Sequence, residues 1–424
     1  MAKLDMQESA APGTPASGYS RLYIDLVGRL HIITDLGVDV TLGAEDLAGL
    51  SDVVLTGPVL DQILTYNGTK WVNQTPVAPP VGTDNQHGTF CGRLTLTTGV
   101  PVTTADVTAA ATLYLTPFKG IQLWTYDASV WTKHTLAEIS VSLAGCVART
   151  QAYTNDPAAG SNIELNMVNT AGFLVGDNVQ VSSGAGTETA NITVVHVNTH
   201  ITVDVLALNH TTVSPLVTGV LPYDIWVYNN AGTLALEALA WTDGATRATA
   251  LALQDSVYVK SGDATRRYVG AILCDMAGGK CTDSVLIRGV SNYYNRVLRS
   301  LSVQESTSHT YNGGWRKWNN NDVNNLLRLV IGVEGDAIFT SVLVRMYAGA
   351  DGSSVRAALA VNGVGAGPGA FYVGNNNAQA IIAGLWSNVS VALTAGSKVL
   401  QLEEFGDHAA STLTNGFAMA SFFG

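Results

Sequence analysis

The chain is punctuated rather than helically periodic. Short runs of β-branched and aromatic residues are broken again and again by Gly, Asn or Asp. One run around Val257 turns at Ser261-Gly262-Asp263 and returns through Arg266-Arg267-Tyr268 into Val269-Gly270-Ala271-Ile272-Leu273. Another, Ile63-Leu64-Thr65-Tyr66, meets Asn67-Gly68 and returns through Trp71-Val72, the strongest short-range hairpin signal. Looser versions lie at residues 123–131 and 225–234, each with an aromatic, an Asn or Asp turn and a hydrophobic return. Their irregular spacing speaks for recurring hairpin chemistry rather than a repeat array. Such a chain has to close its ladders between strands, so an all-β, multi-domain fold is expected. Residues 234–240 (LALEALA) and 247–253 (RATALAL) are the segments best suited to short helices.

Composition supports this reading and narrows the function classes. Charged residues make up 13% of the 424, about half the usual share. A surface so poor in charge is expected to be buried in part against copies of the same chain. The 43 glycines fit many turns, and the net charge of −11 argues against nucleic-acid binding. Cys91, Cys146, Cys274 and Cys281 show no CxxC spacing for zinc, although Cys274 and Cys281 could face each other across a hairpin. The N-terminus, MAKLDMQESAAPGTPASG, reads as an extended arm without the apolar core of a signal peptide. No apolar run reaches the roughly 18 residues of a membrane span. No cofactor is expected.

Texture divides the chain into four parts. Residues 1–80 hold an arm and hairpins, ending in a Pro-rich linker. Residues 81–146 and 220–300 form a central β platform, interrupted by a small inserted β domain at 147–219. Residues 301–424 read as a C-terminal β-sandwich or jelly roll.

Little in the sequence points to covalent chemistry. Glu403 and Glu404 are adjacent on a strand and so face opposite ways, unlike a glycosidase pair flanking one bond. Glu334, Asp336 and Asp351 read as turn acids. His196 and His200, on one continuous strand, would stand about 13 Å apart, too far to share an ion unless a threefold axis gathered them. The glycine-rich segments at Ser261-Gly262-Asp263 and residues 363–369 lack a phosphate-loop pattern and read as turns. The cluster Tyr311, Trp315, Arg316, Lys317 and Trp318 suits either sugar stacking or packing at the base of the terminal domain. Asn375, Asn376 and Asn377, in a Gly-flanked segment, suit an outward tip.

The segments SGYSRLYIDLVGRLHIITDLGVDVTLG and LTYNGTKWVNQTP resemble attachment segments of tailed-bacteriophage fibres and other virion proteins. The runs GRLTLTTGVPVTTADVTAAATLYLTPFKG, YDIWVYNNAGTLALEALAW, ALALQDSVYVKSGDATRRYVGAI and SNYYNRV are similar to a platform of such proteins, and residues 160–210 to one of their modules. The resemblance covers roughly residues 15–299. It implies a homotrimeric structural protein of the virion without enzymatic activity, attached to tail, baseplate or capsid near Arg21, Tyr23, Arg29 and His31. Arg266, Arg267, Tyr293, Tyr294, Asn295 and Arg296 would then join subunits and domains. Trp315, Trp318 and Asn375–Asn377 would meet a host surface glycan or protein. A tail fibre or spike is the first reading, a head fibre or capsid decoration protein the second, and a glycan depolymerase the third.

Overall fold

The computed structural model describes residues 85–424 apart from 128, 321–325, 348–349, 351–352, 363–370 and 376–381. In the N-terminal part it describes residues 13, 17, 21–24, 30–42, 53–54, 63–66 and 69–74. The described elements are all-β, with only short 3₁₀ turns besides strands.

Contacts divide the chain into two compact units, residues 1–84 and 85–424. In the first, Arg21–Ile24, Leu30–Ile33 and Asp39–Leu42 form an antiparallel meander. His31 is buried there, its Nδ1 2.9 Å from Asp39 Oδ1. A second small sheet pairs Ile63–Tyr66 with Trp71–Gln74, Tyr66 standing opposite Trp71.

The second unit is organised around Leu221–Asn230, which pairs on one side with Thr233–Ala240 and on the other with Asp263–Cys274. Alternate residues of these strands meet Leu94, Leu113, Leu115 and Leu123 in one apolar core. Gly270 is required where Asp263–Cys274 crosses Val290–Asn292, because a Cβ there would lie 2.1 Å from Ser291 O. The Ser261-Gly262 turn is a turn as expected, with Gly262 at φ 82°.

Both helix expectations are overturned. Residues 233–240 are a strand, because Ala231 and Gly232 at positive φ turn the chain back and the open edge of Leu221–Asn230 receives it. Leu251–Gln254 is likewise a strand, paired with Val257–Lys260 through Asp255 and Ser256, both at positive φ. Ladder bonds and core contacts outweigh a propensity of a few tenths of a kcal/mol per residue.

Residues 149–219 build a six-stranded sheet set around Leu165, Phe173, Val179, Ile192, Ile201 and Val217. The terminal part packs around Trp318, Leu327, Leu329, Met346, Leu359, Leu400 and Leu413. Its organising element is the long strand Gly396–Phe423. The first half pairs with Leu326–Ile331 and Val355–Val361, the last part with Leu298–Glu305 and Asp336–Tyr347. One strand therefore serves both layers of a sandwich. Cys274 and Cys281 stand directly opposite each other, and all four cysteines are free thiols.

Candidate functional site

The strand His309–Lys317 runs along the bend of Gly396–Phe423 and carries the richest side-chain chemistry of the terminal sandwich. At its floor lies Glu404, fully buried. One carboxylate oxygen accepts from Arg316 Nε at 2.6 Å and the other meets His309 Nε2 at 2.5 Å. Burial works against a charged His309, but the hydrogen bond and charge of Glu404 prevail and raise its pKa above the ordinary histidine value. The Arg316 guanidinium lies 3.7 Å from the centre of the Tyr311 ring, and Tyr311 donates its hydroxyl to Gly314 O at 2.6 Å. In the same strand pair Trp315 packs on Phe405 with ring centroids 5.6 Å apart, and Arg356 sits 5.1 Å from the centre of the Phe405 ring; Phe405 follows Glu404 directly and so points to the other side of the strand. Arg356 is exposed and stands opposite Phe405 in the ladder. Trp315 and Phe405 are thus half-buried rings with the exposed Arg356 over one of them, a patch separate from the Tyr311, Arg316, His309 and Glu404 cluster. Such a patch can stack on a sugar ring or an aromatic side chain while its guanidinium engages hydroxyl or carboxylate oxygens.

Only part of the predicted recognition set belongs to this face. Trp318 is fully buried, over Gly416 and edge-on to His309 at 5.9 Å, so it has no surface to offer a ligand. Of the two tryptophans, packing claims Trp318 and leaves Trp315 half-buried. Asn375 ends the strand Phe371–Asn375 opposite Val355, whereas Asn376 and Asn377 lie outside the described residues. Glu403 and Glu404 are both fully buried. Phe405 and Arg356 were missed in the sequence because only the strand register brings them beside Trp315.

The residues predicted to join subunits and domains make a dense set of contacts within the chain. Arg267 is fully buried; it donates to the carbonyls of His87 and Trp124, each at 2.8 Å, and to Gly88 O at 3.2 Å. Its Nε donates to Tyr294 Oη at 3.2 Å, and the ring of Tyr294 stacks on Phe90. Burial lowers its pKa from the ordinary arginine value. No surface of Arg267 is left for a neighbouring subunit. Asn295 donates to the carbonyls of Phe90 and Gly92, and Arg296 to that of Tyr293. Arg266 bonds Glu237 at 2.8 Å and lies over Tyr228. Tyr293 packs with Tyr258 and Tyr268. Arg21 and Tyr23 lie on the first strand of the N-terminal meander, His31 is buried on its second, and Arg29 lies outside the described residues.

The insert is fastened to the terminal sandwich by Arg328, which donates to Asp177 at 2.9 Å, and by Lys317, which donates to Asn191. Both contacts are buried. Neither contact is legible in the sequence, since each partner is more than a hundred residues from the other.

No family model and no curated protein matches the sequence. Among solved structures, the VP2 subviral particle of infectious bursal disease virus aligns at TM-score 0.23 and 9% identity, over 66% of this chain and 74% of that one. Latent PorU from Porphyromonas gingivalis aligns at 0.22 and 11%, over 66% of this chain and 24% of its own. The exo-β-1,3-galactanase from Phanerochaete chrysosporium aligns at 0.14 and 12%, over 97% and 98%. Likeness at this level carries no argument about this chain.

Proposed function

We propose that this chain is a structural protein of a tailed-phage virion. In this reading it is a homotrimeric tail fibre or spike, anchored through its N-terminal segment and recognising the host surface through its terminal sandwich. The observation that carries the recognition half is the patch of Trp315, Phe405 and Arg356, where two half-buried rings lie beside an exposed guanidinium. Rings with their polar partners in place lose little freedom on binding a glycan or protein. Glu404, buried in the same strand pair, has both oxygens committed to His309 and Arg316, which suits binding without bond cleavage. The virion half rests on the resemblance of the N-terminal and platform segments, and the trimer on the low charge content.

Two measurements test the reading. Trp315→Ala is expected to weaken adsorption of the purified chain to host cells at least about tenfold, as loss of a hot-spot aromatic does, with the melting temperature little changed. Adsorption equal to wild type removes the recognition role. Immunogold labelling of the N-terminal segment on intact particles is expected to mark the tail; label spread over the capsid shell would replace the fibre with a decoration protein.

A further inference from the structure

The sequence separates His196 and His200 by a distance that no single ion spans, but the fold does not keep them on one strand. Gly186–His196 ends at His196, the chain reverses over residues 197–199, and His200–Leu206 begins, so the two histidines stand directly opposite each other. Their rings lie 4.2 Å apart, centroid to centroid, with planes inclined by 30°. We propose that this pair is a binding site for a zinc-type divalent cation at the corner of the insert, independent of the recognition role argued above.

Three observations carry the assignment. First, two imidazoles sharing one tetrahedral ion place their ring centroids about 5.2 Å apart, given metal–nitrogen bonds of about 2.0–2.1 Å, so the pair has to open by about 1 Å. The observed spacing is a small side-chain rotation away from that.

Second, the backbone beneath them is fixed in advance. Asn198 takes the left-handed turn at φ 53°. The buried Thr170 hydroxyl donates to His196 O at 3.1 Å and accepts from Asn198 N at 2.9 Å. Met167 N donates to Thr199 O at 2.9 Å. The turn is therefore held from the neighbouring segment, and little order has to be gained when an ion arrives.

Third, Glu164 on the adjacent strand Gly160–Asn166 places Oε1 3.7 Å from His200 Nε2. That is too long for a hydrogen bond. It is close to the roughly 3.3 Å that separates two ligand atoms on a tetrahedral zinc ion. The Glu164 side chain is 62% exposed and has room to adjust.

Among the described residues no three donors of the His, Cys, Asp and Glu type already converge on one point. The site is thus a two-imidazole chelate open to water, which Glu164 completes on binding. Imidazole donors favour zinc, nickel and copper over magnesium and calcium. A bound ion would tie two neighbouring strands together at an exposed corner and raise the melting temperature by mass action.

Calorimetric titration of zinc into the full chain tests this, with His196→Ala, His200→Ala and Glu164→Gln alongside and magnesium as the comparison ion. The expected result is one zinc per chain, with each histidine substitution weakening binding at least about tenfold and Glu164→Gln by a smaller factor. Magnesium is expected not to bind. Circular dichroism of each variant without metal identifies any that fails to fold. His196→Asn, at the exposed member of the pair, is the second variant in that case. Absence of saturable zinc binding below about 100 µM, or equal zinc affinity in wild type and the folded histidine variants, overturns the proposal.

Discussion

The platform and the terminal sandwich each bury a charged group completely, and they hold it in different ways. In the platform, Arg267 is surrounded by carbonyl oxygens and aromatic rings, with Tyr294 its side-chain hydrogen-bond partner. In the sandwich, Glu404 is held by an arginine and by a histidine whose pKa it raises above the ordinary value. A guanidinium caged by backbone carbonyls keeps its charge at any pH the protein meets, so it acts as a permanent rivet between the 85–90 segment, the Gln122–Tyr126 hairpin strand and Asp263–Cys274. A carboxylate held by a histidine depends on the state of that histidine. The contrast is between a region held by a caged charge and one held by a pair that responds to pH.

The strongest way to break this contrast is at the rivet. Arg267→Met keeps much of the side-chain volume but leaves several buried carbonyls without donors, each at about 1–3 kcal/mol. A loss of about 4 kcal/mol in chemical denaturation is expected; a loss under about 1 kcal/mol would mean that the cage is not structural. Next comes Glu404→Gln, which leaves Arg316 and His309 facing a neutral amide. The cost of removing one partner of a buried ion pair is about 3 kcal/mol. It should appear in the sandwich, read as faster amide exchange in Gly396–Phe423 while Leu221–Asn230 stays protected.

The smallest effect is also the sharpest test of the difference. The folded-state pKa of His309 is raised above its unfolded value. Its stabilising pairing with Glu404 is therefore fully present below the unfolded value of about 6.5 and is lost as pH rises through the higher folded value. Thermal melts of the wild type are expected to fall slightly over that window, and His309→Gln to remove that part of the slope. A slope unchanged in the variant would assign the pH response elsewhere. Arg267→Met, by contrast, should leave the slope as it is.

Much of this was legible in the chain, and where it was not the reason is physical. The hairpins read at residues 63–72, 123–131 and 225–234 follow from residues that lie next to one another. At residues 231–232 a positive-φ pair sets the reversal, and in each hairpin the alternating residues choose their faces. The all-β class follows from the same local rules. Residues 233–240 misled because their composition favours a helix, and the vacant edge that claims them lies on another strand. Trp315 and Trp318 look alike in the sequence; only the close approach of Gly416 draws one of them into the core. The two histidines are far apart on an extended strand and ring to ring across a turn. What the sequence by itself determined is thus the all-β class and most of the reversals, because these depend on neighbours along the chain. Which aromatic is exposed, which charge is caged and which side chains meet were decided by the tertiary structure, because pairing and burial depend on residues a hundred or more positions away.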